Sequence, residues 1–142
     1  MVRVEHMGMI STPPEAVFPV ISDPQTQLVW DAETLRSVEK LGGSPLSKGS
    51  RYRGRFRGFG TVEYEFVEFE PNRRFAHRAK IPLGTMTHTF TLEAADGGTR
   101  VTQVGELEPN VLGRLAGPMF RRNMAKRFAT IVDEVSTYVR SH

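Results

Sequence analysis

Residues 118–140, PMFRRNMAKRFATIVDEVSTYVR, decide the fold. Their apolar side chains, Phe120, Met124, Phe128, Ile131, Val132, Val135, Tyr138 and Val139, recur at the spacing of one helical face. Arg122, Lys126, Asp133, Ser136, Thr137 and Arg140 occupy the opposite side. At 1.5 Å per residue the segment is a rod roughly 35 Å long, about the width of a small domain. A lone amphipathic helix of that length needs a surface to lie against, and the rest of the chain offers a sheet.

Immediately upstream, Leu112, Leu115, Ala116 and Met119 also have helical spacing, but their face lies about a quarter-turn away from the later stripe. The two stripes meet at Gly117-Pro118. Proline loses a hydrogen bond and clashes in a helix interior, whereas it fits the first helical position. The phase shift therefore predicts a short helical segment near 111–116, a break or kink, and then the main helix.

The chain before this helix is dominated by alternation. Val2, Val4, His6, Gly8 and Ile10 share one face of a first strand. Thr12-Pro13-Pro14-Glu15 reads as an N-cap threonine, proline at the first position and glutamate at the third, opening a short helix. Ser22-Asp23-Pro24 stops it and starts a second, ending near Trp30. A strand around 37–41 leads into a run in which Arg51, Arg53, Arg55 and Arg57 alternate with Tyr52, Gly54 and Phe56. Folded as a hairpin about Phe59, that run sets Arg55 against Glu63, Arg53 against Glu65, Phe56 against Val62 and Tyr52 against Phe66. Gly54 then faces Tyr64.

Two further hairpins follow. The first turns at Pro71-Asn72 and pairs Phe66 with His77, Tyr64 with Ala79 and Glu65 with Arg78. Near its turn Glu68 would point inward and Phe69 outward unless a bulge intervenes. The second turns at Asp96-Gly97, a type I′ signal, and pairs Leu92 with Val101, Phe90 with Gln103, His88 with Gly105 and Met86 with Leu107. The expected fold is thus α+β: an antiparallel sheet of six to seven strands curved around a long C-terminal helix, with two short helices after the first strand.

At 142 residues the chain is long enough for one cored domain, spanning 1–142, and short for two. Nineteen basic residues against sixteen acidic ones specify no nucleic-acid partner. The chain has no cysteine, which excludes disulfide and thiol chemistry and suits a reducing cytoplasm. No long apolar run or signal-like segment opens the sequence.

In this order of elements the chain resembles the START-like superfamily, that of the polyketide cyclases/dehydrases and lipid-transport proteins with a helix-grip fold. The resemblance covers essentially the whole length. It is carried by Ile10 through Phe18 (ISTPPEAVF), Ser22-Asp23-Pro24 leading to Trp30, Glu70 through Phe75 (EPNRRF), Gly97 through Thr102 (GGTRVT), and the long terminal helix. It implies a pocket for an apolar or amphipathic small molecule between sheet and helix.

The registers turn His6, Tyr52, Tyr64, His77, His88 and Gln103 inward, and buried polar groups need partners or a wet cavity. The candidate ligand-binding residues are Trp30, Tyr52, Gly54, Phe56, Tyr64, Phe66, Met86, Phe90, Gln103, Met119 and Met124. Gly54 and Gly105 are expected to leave gaps under the helix, with the mouth between 23–30, the 58–60 turn and the Gly117-Pro118 break. Histidine is the natural acid or base near neutral pH, so His77 and His88 are the catalytic candidates should a reaction occur. A packed, neutral wall role is the favoured one for both. No nucleophile elbow, metalloprotease motif or phosphate-binding loop is present, and no metal or cofactor is expected.

Three functions fit. The first is a carrier for a small hydrophobic molecule. The second is a cyclase or dehydratase using an inward histidine. The third is an interaction protein docking through the basic cluster Arg114, Arg121, Arg122, Lys126 and Arg127, for which a solvated helix face is the favoured reading over an anionic surface. The sequence leaves ligand and oligomeric state open.

Overall fold

Alternation with period two produces seven strands, and the period of 3.6 produces one long helix. In the computed structural model, which describes residues 1–141, the order is β1 (Val2–Ile10), α1 (Pro14–Ser22), α2 (Pro24–Trp30), β2 (Leu35–Leu41), β3 (Arg51–Phe56), β4 (Gly60–Glu70), β5 (Arg74–Ile81), β6 (Gly84–Ala95), β7 (Gly98–Pro109) and α3 (Val111–Ser141). The strands form one antiparallel sheet in the order β1-β7-β6-β5-β4-β3-β2. Its concave face wraps α3, with α1 and α2 closing one end: an α+β helix-grip fold. No helix among the described residues is long and apolar enough to cross a membrane.

Two hairpins adopt the expected registers. Tyr64 faces Ala79 and Phe66 faces His77, and a bulge between Phe66 and Glu68 returns Phe69 to the inner face, where it meets Phe18 edge-on at 5.4 Å. Glu68 is thereby turned outward to pair with Arg74 at 3.2 Å. Across β6 and β7, Leu92 faces Val101, Phe90 faces Gln103 and His88 faces Gly105. Asp96 and Gly97 both take positive φ, 50° and 80°, as the two-residue turn requires.

The β3–β4 hairpin departs from expectation by two residues. Arg53 faces Glu63, Tyr52 faces Tyr64 and Gly54 faces Val62. The loop is Arg57-Gly58-Phe59, with Gly58 at φ 87° and Gly60 at φ 76°, so its centre lies one position earlier than Phe59. A two-residue slip keeps each side chain on its face. The arginines therefore stay outside, where Arg51 and Arg53 pair with Glu63 and Arg53 also with Glu39. These are exposed pairs, each worth about 0–1 kcal/mol.

At its start α1 begins at Pro14 with Pro13 in the cap position, and no side chain caps it. Thr12, the expected cap, instead offers its carbonyl to Thr99 Oγ1 at 2.6 Å. Asp23 caps α2 as its position suggests, accepting from the Gln25 amide at 2.9 Å.

Of the expected break or kink at Gly117-Pro118, a break is absent: α3 is continuous, with Pro118 inside it. The phase shift has another cause. Gly113 abuts the Leu83 carbonyl and Gly117 lies beside Val2, so the inward face of the first turns is made of glycine. Leu112, Leu115 and Met119 are thereby rotated to the outside.

Further along, α3 is seated on β1 and β7. A Cβ on Gly105 would lie 2.7 Å from Phe128 Cζ, and one on Gly8 would lie 3.1 Å from a Val132 methyl. These glycines let the helix approach. Gly105 is therefore a seat filled by Phe128 and not the expected gap. At Gly54 the space is likewise taken, by Phe56 at 2.7 Å from a hypothetical Cβ. The unfilled volume lies further across the sheet, under β3–β6.

Candidate functional site

Seating the helix on one side of a curved sheet leaves a chamber of about 410 Å³ on the other. Its volume falls within the range of about 300–1,000 Å³ usual for small-molecule sites. Phe66, Phe75, Phe90, Phe128, Ile21 and Ile131 form its floor and sides. Arg57, Phe59 and Asn123 are the solvent-exposed members of its lining and mark the open side.

Of the sequence-derived ligand-binding candidates, Trp30, Phe56, Tyr64, Phe66, Met86, Phe90 and Met124 line this chamber, as do His77 and His88. Tyr52, Gly54, Gln103 and Met119 do not. Tyr52 stands behind Tyr64, stacked on it at 5.8 Å. Met119 is 62% exposed, because the helix continues without a break and carries it to the outer side. The rim on α3 is therefore set by Asn123 and Arg127, roughly one and a half to two and a half turns beyond the expected Gly117-Pro118.

Gln103 fixes the chemistry of His88 from behind the wall. Its amide Nε2 donates to the Phe128 carbonyl at 2.8 Å, which orients its Oε1 toward His88 Nε2 at 3.0 Å. An amide oxygen only accepts, so His88 carries its proton on Nε2. The ring is held between Phe90, with centroids at 4.1 Å, and Phe128 at 4.4 Å. Burial, followed by the nearby His77, pushes its pKa well below the ordinary value. His77 lies 5.5 Å from His88 and 5.4 Å from Tyr64 between ring centroids, and burial lowers its pKa to about 4.

Both rings are thus neutral at neutral pH. A base with a pKa near 4 is poorly matched to proton abstraction there, since the best catalytic pKa lies near the working pH. The arrangement is better suited to hydrogen-bonding than to moving a proton, and the remaining nitrogen of His88 is an acceptor.

Because His77 ionises near 6.5 when unfolded and near 4 when folded, the unfolded chain holds the extra proton between those values. The stability it contributes is complete above 6.5 and is lost as pH falls toward 4. By pH 5 the loss is up to about 2 kcal/mol at 1.4 kcal/mol per unit. Urea midpoints measured from pH 7 to 5 should fall, and His77→Phe should fall less steeply. Parallel curves would rule out a buried neutral ring.

One polar group at the site, Asp31, escaped the sequence reading, and its partner Arg127 was expected in a different setting. Asp31 is fully buried, its Oδ2 accepting from Arg127 Nη2 at 2.6 Å and from Gln27 Nε2 at 2.9 Å. Arg127 also donates through Nη1 to Glu134 at 2.9 Å. Arg127, expected in the less neutralised basic cluster, is therefore matched by two carboxylates, and the network ties the end of α2 to α3 across the chamber rim. Tyr64 Oη and Asp31 Oδ1 are buried without a hydrogen-bond partner among the described residues. Burial raises the Tyr64 pKa, so the phenol stays protonated. No group of three or more potential metal-binding His, Asp or Glu side chains occurs among the described residues.

A family model described as "Polyketide cyclase / dehydrase and lipid transport" matches residues 1–140. No curated protein matches by sequence. Among solved structures, Ara h 8.0201 superposes with a TM-score of 0.79 at 16% identity, over 99% of this chain and 98% of its own. The TTHA0849 protein of Thermus thermophilus gives 0.78 at 18% identity, covering 98% of this chain and 97% of its own. MLL2253 of Mesorhizobium loti gives 0.76 at 17% identity, covering 98% and 97%. At such identities these structures establish the shared fold alone.

Proposed function

We propose that this chain, which belongs to the polyketide cyclase/dehydrase and lipid-transport family, binds a small hydrophobic or amphipathic molecule in the chamber between sheet and α3. The observation that carries the reading is a chamber of about 410 Å³ walled mainly by aromatic and aliphatic side chains. A phenol in its wall with no hydrogen-bond partner among the described residues supports an amphipathic occupant, because an unpaired buried hydroxyl is costly. The low basicity of His77 favours binding over a cyclase or dehydratase reaction, in which His77 or His88 would serve as base.

Ala79 lines the chamber opposite Tyr64 and offers the place to test this. Ala79→Trp adds an indole to the space without disturbing the α3 seat. Titration with the apolar dye anilinonaphthalene sulfonate should show saturable binding to the native chain, weakened about tenfold or more in the variant, which corresponds to 1.4 kcal/mol or more. Circular dichroism should show that the variant remains folded. Equal dye binding by the two proteins, or none by the native chain, overturns the reading.

A further inference from the structure

We propose that the first third of α3 is a docking face for an anionic lipid surface, placed beside the mouth of the chamber. Val111, Leu112, Leu115 and Met119 are 73%, 55%, 80% and 62% exposed. At 100° per residue they share one sector of the helix, within which Arg122 and Lys126 also fall, while the exposed Arg114 and Arg121 lie together to one side of it. From Pro109 to Val132 the sequence contains no acidic residue. Arg127 is matched by Asp31 and Glu134, whereas Arg114, Arg121, Arg122 and Lys126 form no ion pair among the described residues.

An apolar stripe bordered by cations is the pattern of a helix lying in a lipid interface. A second copy of the chain is a poor occupant. A two-fold interface sets the same patch against itself, and here that brings four unneutralised cations against four. A lipid surface accepts the leucines and methionine among its chains and matches the cations with phosphate.

Asn123, which lines the chamber, stands one helical turn from Met119 and so on the same face. A lipid surface on this face would therefore adjoin the chamber mouth, and an apolar molecule would pass between them with little exposure to water. That last step rests on the binding function proposed above; the docking does not.

The test is co-sedimentation of the full chain with vesicles of phosphatidylcholine alone and with vesicles in which one third of the lipid is phosphatidylglycerol. The native chain should bind the anionic vesicles preferentially and lose binding as salt is added. Each cation near an anionic surface strengthens binding about fivefold, so Arg121→Glu with Arg122→Glu should weaken it by about 25-fold or more. Leu115→Glu, at a position with no packing role, should weaken it about tenfold or more. Undiminished binding by either variant, equal binding to neutral vesicles, or no binding at all overturns the proposal. Self-association that depends on Leu115 in sedimentation velocity, without vesicle binding, also overturns it, in favour of a second copy. Dye titration of Leu115→Glu separates the two readings. Retained dye binding with lost vesicle binding locates the defect in docking, whereas a native chain that binds vesicles but no dye sinks the chamber function alone.

Discussion

Phe128→Ala should destabilise the domain by about 3–5 kcal/mol, the range for truncating a fully packed phenylalanine. The ring is completely buried, covers the bare backbone of Gly105 and stacks on His88. His88 stacks in turn on Phe90, and Phe90 on Phe75 at 4.4 Å, so one column of rings joins α3 to β6 and β5. Removing the end of that column merges a new void with the existing chamber and loosens the carbonyl that Gln103 holds. For a chain of this size the thermal midpoint should fall by about 10 °C. Phe59→Ala, at the exposed hairpin tip, is the natural control. If both variants melt together, the column does not anchor the helix.

Arg127→Met should have an effect of the same order, through charge. The Asp31 carboxylate is buried with only Arg127 and Gln27 as partners among the described residues. Taking away the guanidinium leaves a carboxylate in a site from which water is excluded, at a cost of about 3–5 kcal/mol. The double variant Asp31→Leu with Arg127→Met removes both charges and should recover most of the loss, because apolar replacement of a buried pair is often neutral or better. Urea titration of the two single variants and the double variant closes the cycle. Additive losses would show that the pair does not couple α2 to α3.

The elements that could be read in advance are those whose pattern admits one answer. The stripe from Phe120 to Val139 fits only a helix, and a two-residue turn at Asp96-Gly97 leaves one register for β6 and β7. The Glu68 conflict marked where a bulge would restore the alternation, and one is present there. The β3–β4 register admitted two answers, because a slip of two residues matches arginine to glutamate and ring to ring equally well. Only the left-handed backbone at Gly58 and Gly60 separates them. The supposed break at Gly117-Pro118 rested on assuming that an apolar stripe is a buried one. At Leu112 and Leu115 it is exposed, with glycine beneath. At the site, the chamber-facing rings followed from strand alternation, whereas Asp31 and Arg127 lie on distant elements and carry no periodic signature. Their pairing is produced by the closure of α2 over α3, which no local pattern encodes.

Because α3 is seated on β1 and β7, stability and ligand choice can mutate separately. Gly8, Gly105, Phe128 and Val132 form the seam between helix and sheet, while Val62, Ala79 and Ile81 set the shape of the chamber wall across from it. Loss of stability is what mainly restrains sequence drift. A change of size at the second group leaves the seam untouched and so meets little of that restraint. Descendants of a single ancestor can in this way come to hold different molecules on an unaltered frame, each a few codon changes from the next.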